Sequence, residues 1–228
     1  MGDYHRSLAR SEGLSALQMN RPSARAGEVD AQVDGLQREL ARSGEPLIVD
    51  SRLGWHFFAD AFKVQLQADP MTAARRVLSR PASDTEGYIS LEDALRGLRE
   101  RSQVERDRFL QTYGVDKSRL RNYDLVCDTT SATPDEVADL IVRLYHDQPS
   151  DHAPALALDP ARVGLDDGEV PEAAIAPPGQ IAIWVAWTGS RFVAIAGQDA
   201  LRVAKDRGDS LVCARLLTER EAADDVPR

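Results

Sequence analysis

Arginine side chains are the groups of this sequence best suited to chemistry, and one of them stands where a ligand would bind. The chain has 28 lysines and arginines, of which three, Lys63, Lys117 and Lys205, are lysines. Arginine binds phosphate through a planar fork of N–H donors. Arg52 comes just after the apolar segment 47–50, which predicts a strand. Open α/β sheets bind ligands at the carboxyl ends of strands, so the sequence favours an anion site at Arg52.

Further arginines could contribute to this site if the fold brings them together. They are Arg6, Arg76, Arg80, Arg101, Arg106 and Arg108. The last three alternate with acidic residues, and this pattern is also typical of a solvated helix face covered by salt bridges. The sequence is therefore compatible both with a ligand site and with a salt-bridged surface at these arginines.

Other kinds of site are not indicated. The four histidines are scattered, and no His/Asp/Glu cluster has the spacing of a metal site. Ser51 does not lie in a Gly-x-Ser-x-Gly turn. Cys127 and Cys213 form no C-x-x-C pair and are interpreted as idle thiols. We therefore predict no metal and no disulfide, and the sequence identifies no catalytic residue.

The elements that would position these residues alternate between strands and helices. Apolar periodicity predicts strands at 47–50, 62–67 and 123–127, and helices at 28–43, 70–80 and from 90 to about 113, with a last helix from 133. Successive strand–turn–helix units predict an α/β fold with a parallel sheet. Trp55, Phe57 and Phe58, in a loop, would either line a base pocket or pack on the core.

Composition limits the partners of the protein. The chain of 228 residues has a net charge of -9, which argues against binding nucleic acid through bulk electrostatics. No apolar run is long enough to span a membrane, and no signal peptide opens the sequence. We expect a soluble cytoplasmic protein without membrane or nucleic-acid partners.

A change of composition after Tyr145 predicts a second domain. Segments rich in Pro, Asp and Gly are followed by two apolar strands across a Gly turn, a helix and another strand. This order predicts a small α+β domain. We place the first domain at 1–148, a linker at 149–156 and the second domain at 157–228.

Several segments of the first domain match one known family in sequence order. They are Gly2-Asp-Tyr-His-Arg6, Val49-Asp-Ser-Arg52, the arginine pair after Asp69-Pro70, Tyr113-Gly-Val-Asp116, and the strand and helix around 122–137. Residues 1–146 thereby resemble the cytidylate kinase-like branch of the P-loop nucleoside monophosphate kinases. The fold implied is a P-loop-kinase-like parallel sheet with flanking helices.

The resemblance implies roles for particular residues. Asp3, Arg6, Asp50 and Arg52 would bind the nucleoside monophosphate, with a CMP-type nucleotide as the ligand. The lid that closes over the phosphates would carry Arg76, Arg80, Arg101, Arg106 and Arg108. ATP and Mg²⁺ are implied only if the protein is active; otherwise no cofactor is expected.

One departure from the family governs the functional prediction. The family opens with a strand, a Gly-x-x-x-x-Gly-Lys-Ser/Thr loop and a helix, and the sequence contains no such loop. We therefore expect a nucleotide-binding protein that is inactive alone. The alternatives are a cytidylate kinase completed by a partner chain or a lost N-terminus, and a purely structural or regulatory interaction protein.

The same departure predicts an incomplete sheet. In the family the loop-bearing strand lies between the strands that correspond here to 47–50 and 62–67, so its absence would leave their backbone groups unpaired. Such groups are costly when buried. We expect self-association or a partner protein that supplies the missing strand.

The C-terminal part carries a second resemblance. The segments 158–163, 192–197 and 204–208 resemble parts of ParB/sulfiredoxin-like domains, over residues 156–217. Where those domains have Gly-His-His-Arg, this chain has Gly197-Gln-Asp-Ala200. The resemblance therefore implies the fold with a degenerate motif, used for structure or interaction.

Overall fold

A computed structural model describes residues 24–80, 87–147, 154–165 and 183–216. The chain divides into two compact units. A helical unit comprises the chain up to residue 61 together with 69–122, and a sheet unit comprises 62–68 and the chain from 123 onward. Asp3 and Arg6, two of the predicted monophosphate ligands, lie outside the described residues.

The described elements follow one another in the chain as helices interrupted by strands. In the helical unit they are α1 (Ala24–Arg42), α2 (Gly54–Phe57), α3 (Pro70–Leu78), α4 (Leu91–Tyr113) and a 3-10 turn at Leu120–Asn122. In the sheet unit they are β1 (Val64–Gln67), β2 (Leu125–Asp128), α5 (Pro134–Asp147), β3 (Ala155–Leu158), a 3-10 turn at Pro160–Arg162, β4 (Gly164–Leu165), β5 (Ile183–Trp187), β6 (Phe192–Ala196), α6 (Gln198–Arg207) and β7 (Val212–Leu216).

The helix starts follow from side-chain caps that the sequence predicts. The Asp69 carboxylate accepts hydrogen bonds from the backbone N–H groups of Met71 and Thr72, and Pro70 is the first residue of α3. The Ser90 hydroxyl accepts from the N–H of Asp93 at the start of α4. Each cap satisfies backbone donors that have no partner inside the helix. These two predicted starts are confirmed.

A seven-stranded mixed sheet forms the frame of the sheet unit, in the order β1-β2-β3-β7-β5-β6-β4. Strands β1, β2 and β3 are parallel, whereas β7 runs antiparallel to β3. Every residue of β2 is buried, as is typical of an interior strand of a parallel sheet. The predicted α/β class is confirmed.

The strands of the C-terminal region continue the sheet that β1 and β2 begin. β3 starts at Ala155, within the segment predicted as a linker, and lies beside β2. The Arg162 guanidinium, just beyond β3, donates to the buried carboxylate of Asp128 at the end of β2. Ser131 donates a 2.5 Å hydrogen bond to Asp159. These contacts tie β2 to β3, while the functional division near residue 148 stays a prediction.

The core of the sheet unit forms where α5 packs on β2 and β3. Its buried members are Leu125, Cys127, Ala132, Val137, Leu140 and Ala157. The spacing of the apolar residues of α5 places them on one face of the helix, which explains why this amphipathic segment folds against the sheet.

The predicted strand at 47–50 is absent. The segment is irregular and takes part in no described sheet, and the side chain of Ile48 is fully exposed. A strand requires a neighbour that binds its backbone groups, and apolar β-branched sequence alone does not supply one. The prediction of a strand here is therefore wrong for the chain as described.

No helix among the described residues is long and apolar enough to cross a membrane.

The two thiols should differ sharply in reactivity. Burial, aided by the nearby Asp128, raises the pKa of the Cys127 thiol to about 11, whereas Cys213 is exposed. Because the thiolate is the reactive form, a thiol reagent at pH 8 should modify one cysteine per chain quickly and the other only after unfolding. A Cys213→Ser variant should lose the fast phase. Two equally fast thiols in the native protein would contradict the placement of Cys127.

Candidate functional site

A stripe along α4 holds the residues on which the helical unit is built. Glu105 and Phe109 are buried, Glu105 with 5% of its surface exposed, and Tyr113 follows one turn later. Residues four apart lie on the same helix face, so these three side chains form one row. The row presents a carboxylate at one end and an aromatic ring at the other.

Three cations surround the Glu105 carboxylate. The Arg52 guanidinium donates to one oxygen, and the Lys117 ammonium donates to the other at 2.5 Å. Burial by itself would raise the pKa of Glu105, but the charges of Arg52, Lys117 and Arg101 hold this pKa below its ordinary value. Glu105 is therefore ionised at neutral pH, and its surroundings carry more positive than negative charge.

A second ion pair fixes the turn after α4. Arg106 donates from Nε at 3.0 Å to one Asp116 oxygen and from Nη2 at 2.6 Å to the other. Asp116 also accepts from the backbone N–H and the hydroxyl of Ser118. Burial opposes the charge of Asp116, but the hydrogen bonds from Arg106 and Ser118 lower its pKa to about 2. Gly114, with φ of 69°, makes the turn that brings Asp116 back to α4.

Aromatic side chains gather at the other end of the α4 row. The ring centres of His56 and Phe57 lie 5.9 and 6.1 Å from that of Tyr113. The Arg38 guanidinium of α1 lies 5.2 Å from the centre of the Phe57 ring. Trp55 and Phe57, predicted to lie in a loop, thus belong to helix α2, and Phe57 packs on α4 and α1.

A buried carboxylate from α1 meets this aromatic group. The Tyr113 hydroxyl donates to Asp34 at 3.2 Å, and Asp34 is 8% exposed. Burial raises the pKa of Asp34, and the hydrogen bond from Tyr113 and the charge of Arg38 partly offset this rise. The Tyr113 end of the row therefore contains a buried hydrogen-bond acceptor.

The loop that carries Arg52 is anchored to α1. The Ser51 hydroxyl donates at 2.6 Å to the side-chain oxygen of Gln37, which is buried. Leu53 is buried beside it. These contacts fix the loop, so that Arg52 reaches Glu105 while Phe57 reaches Tyr113.

The predicted arginines are not all brought to one place. Arg52 and Arg101 meet at Glu105, whereas Arg106 pairs with Asp116. The Arg108 guanidinium lies 5.3 Å from the Phe109 ring centre, and its charge acts on Asp34. The remaining three predicted residues are exposed: Asp50 in the irregular segment, Arg76 on α3 and Arg80 just after it. The proposed roles of all these residues in ligand binding stay predictions.

Sequence reasoning missed Glu105, Lys117 and Asp34. Glu105 falls at helical spacing from Ala94 and Phe109, which are both buried, so the apolar period of α4 could have indicated it. Asp34 gives no apolar signal, because the buried residue at helical spacing from it is Gln37, which is also polar. Lys117 gives no such signal, because it reaches α4 only through the turn at Gly114.

The arrangement can bind a ligand with an anionic end and a flat end. Glu105 and Tyr113 are eight residues apart on α4, about 12 Å along the helix axis. Cations lie at one end of this distance, and aromatic rings with a buried acceptor lie at the other. In the described part of the chain, no group of three or more His, Cys, Asp or Glu side chains could hold a metal ion.

Comparison with known proteins finds similar sequences among enzymes of nucleotide metabolism. The cytidylate kinase of Thermoplasma volcanium is 34% identical over 145 residues, covering 62% of this chain and 73% of that enzyme. The cytidylate kinase of Methanothrix thermoacetophila is 33% identical over 128 residues, 56% of this chain and 70% of the enzyme. An S-adenosylmethionine-dependent nucleotide dehydratase of Lacinutrix mariniflava is 36% identical over 146 residues.

The fold indicates the class of the protein, and the sequence similarities indicate its family. The α/β fold with its seven-stranded mixed sheet defines the class as a kinase-like α/β protein. With about a third of the residues identical over most of two cytidylate kinases, the chain belongs to the cytidylate kinase family. It covers only 29% of the length of the dehydratase. No protein-family model and no solved structure matches the chain.

The Arg106–Asp116 pair should give the protein a defined acid sensitivity. The folded pKa of Asp116, about 2, lies below the ordinary 3.8, so the stabilisation is complete above pH 3.8 and disappears as the pH falls toward 2. Asp116→Asn should lower the free energy of unfolding by about 1 kcal/mol at neutral pH, since Arg106 is partly exposed.

Urea unfolding between pH 2 and 7 measures this effect. The difference between wild type and variant should shrink below pH 3.8. Asp199→Asn, which affects a surface pair with Arg202, is the matched control and should show almost no difference at any pH. A constant loss at all pH values would contradict the assignment.

Proposed function

We propose that this protein binds a nucleoside monophosphate of the CMP type in its helical unit and does not phosphorylate it alone. The observation that carries the proposal is the group of Arg52, Arg101 and Lys117 around the single carboxylate of Glu105. The relatives support the general part of this proposal, which is the binding of a nucleotide, since their names refer to cytidylate and to nucleotides.

The phosphate would be bound by Arg52. Its side chain remains 41% exposed while the guanidinium donates to Glu105, so a ligand in the solvent can approach it. Glu105 orients the side chain before a ligand arrives, and preorganised arginine forks bind phosphate in two-point contacts. In the family resemblance Arg6 would join Arg52 at this phosphate.

The base would occupy the aromatic end. Phe57 and Tyr113 offer ring surfaces, and the Asp34 carboxylate offers an acceptor. An amino-bearing base such as cytosine donates a hydrogen bond to such an acceptor, whereas uracil presents a carbonyl at the same position. We therefore propose that CMP and dCMP are preferred over UMP.

ATP and Mg²⁺ are not provided for by the residues at hand. The sequence contains no Gly-x-x-x-x-Gly-Lys-Ser/Thr loop, and the described residues include no group of three ligating side chains. Phosphoryl transfer depends almost entirely on such positioning and charge. We therefore assign no transfer step to this chain alone.

Two alternatives remain as proposals. In the first, the chain becomes an active cytidylate kinase when another polypeptide completes it. In the second, it is a structural or regulatory interaction protein. The resemblance of the C-terminal region to ParB/sulfiredoxin-like domains is the basis of this second alternative.

Removal of Arg52 should weaken monophosphate binding. Isothermal titration of CMP, dCMP and UMP into wild type and Arg52→Ala should show at least a tenfold loss of affinity, because a charge-assisted contact contributes about 1.5–3 kcal/mol. Arg101→Ala should give a smaller loss in the same direction.

Arg96→Ala is the matched control on the same helix. Arg96 is exposed and pairs with Asp93, away from Glu105, so its loss should leave affinity unchanged. Unchanged binding in Arg52→Ala with native circular dichroism would remove this site from consideration.

The chain alone should release no ADP from ATP in the presence of CMP. The physical reason is the lack of a phosphate loop to position the transferred group. A coupled assay on protein free of host kinases measures it. Release above background that scales with protein concentration and disappears in Arg52→Ala would show the protein to be an active kinase by itself.

A further inference from the structure

His56 lies at the aromatic end of the α4 row and takes no part in the contacts proposed for the base. The residue belongs to α2 and is exposed to solvent. Its ring centre lies 5.8 Å from that of Trp55, 5.1 Å from that of Phe57 and 5.9 Å from that of Tyr113. A solvent-accessible ionisable group therefore lies within the ring cluster assigned to the base.

The charged and titratable groups around His56 come from the two helices that α2 packs against. Helix α1 contributes Asp34 and Arg38, and α4 contributes Arg108 and the Tyr113 hydroxyl that donates to Asp34. The positive charges of Arg38, His56 and Arg108 all act on the Asp34 carboxylate and lower its pKa. The imidazole of His56 is thus close enough to Asp34 for each group to affect the charge of the other.

Of these cations, His56 is the one whose charge changes near neutral pH. Guanidinium groups stay protonated in proteins, whereas an imidazole gains or loses its proton between about pH 5 and 8. The neutral ring has one N–H donor and one acceptor, and the charged ring has two donors and a positive charge. The hydrogen-bonding character of the base end therefore depends on the protonation of His56.

We propose that His56 and Asp34 together determine which pyrimidine the site prefers. The Asp34 carboxylate accepts from the amino group of cytosine, and the protonated imidazole of His56 donates to the carbonyl that uracil has at the same position. This inference rests on the proposed binding of a nucleoside monophosphate. Protonation of His56 favours UMP, because it supplies a donor for the uracil carbonyl. The same charge disfavours CMP, because it competes with the cytosine amino group for Asp34.

Calorimetric titration of CMP and UMP into the full chain at several pH values tests the inference. From about pH 8 to about pH 5.5 the ratio of CMP affinity to UMP affinity should fall about fivefold, since charge-assisted bonds are strong but solvent weakens them at an exposed residue. The ratio is the quantity to compare, because both ligands carry the same phosphate and its own titration cancels.

His56→Gln keeps a polar side chain that cannot become charged, so it should remove most of this change in the ratio. Burial raises the pKa of Asp34, and any pH dependence that comes from Asp34 remains in the variant. His146→Gln is the matched control, because His146 of α5 is also exposed and its ring centre lies 5.4 Å from that of Tyr145. This control should keep the wild-type dependence on pH.

The NMR resonances of the His56 ring give a second readout, which a merely structural role would not move. Their titration midpoint should lie at a higher pH in the UMP complex than in the CMP complex, because a proton that favours one ligand is in turn bound more tightly in its presence.

The outcomes separate this inference from the function on which it rests. Failure of both nucleotides to bind at any pH would overturn the proposed function and the role of His56 with it. Binding of both nucleotides with an affinity ratio that does not depend on pH, or that changes equally in wild type and His56→Gln, would overturn the role of His56 alone.

Discussion

The buried carboxylate of Glu105 is the interaction on which the helical unit depends. A carboxylate in this position would be costly without partners, and the Arg52, Lys117 and Arg101 side chains provide them. The ion pairs reach Glu105 from a loop before α2 and from the turn after α4, so one charge fixes two segments distant in sequence. The same contacts hold three cations together, which is an arrangement that favours an anionic ligand.

The sheet unit depends instead on the pairing of backbone groups between neighbouring strands. Its parallel strands need a neighbour on each side, and β3 provides one for β2. The ion pair between Arg162 and Asp128 and the bond between Ser131 and Asp159 then connect the loops after these strands. The C-terminal region is thus part of the frame that surrounds β2. At the other end, β1 is the terminal strand of the sheet that the described residues form.

Family membership and the geometry of the helical unit give two different kinds of information about function. Membership in the cytidylate kinase family rests on extended similarity to two such enzymes. The geometry of the helical unit adds the reason why a monophosphate would suit it: cations at one end of α4 and rings with a buried acceptor at the other. The transfer of a phosphoryl group requires, in addition, groups that position the transferred phosphate and neutralise its charge.

The sequence by itself determined the elements whose signals are local. The caps at Asp69 and Ser90, the apolar period of α5 and the apolar run of β2 all predicted structure because neighbouring residues supply the stabilising contacts. The ligand-binding role of Arg52 was predicted from its place after a strand at 47–50; that strand is absent, and the role stays a prediction. The tertiary structure alone decided which arginines find carboxylate partners, since Arg52 reaches Glu105 through the loop anchored to α1 and Arg106 meets Asp116 through the turn at Gly114. It also decided that 47–50 is no strand, because a strand forms only where another strand binds its backbone.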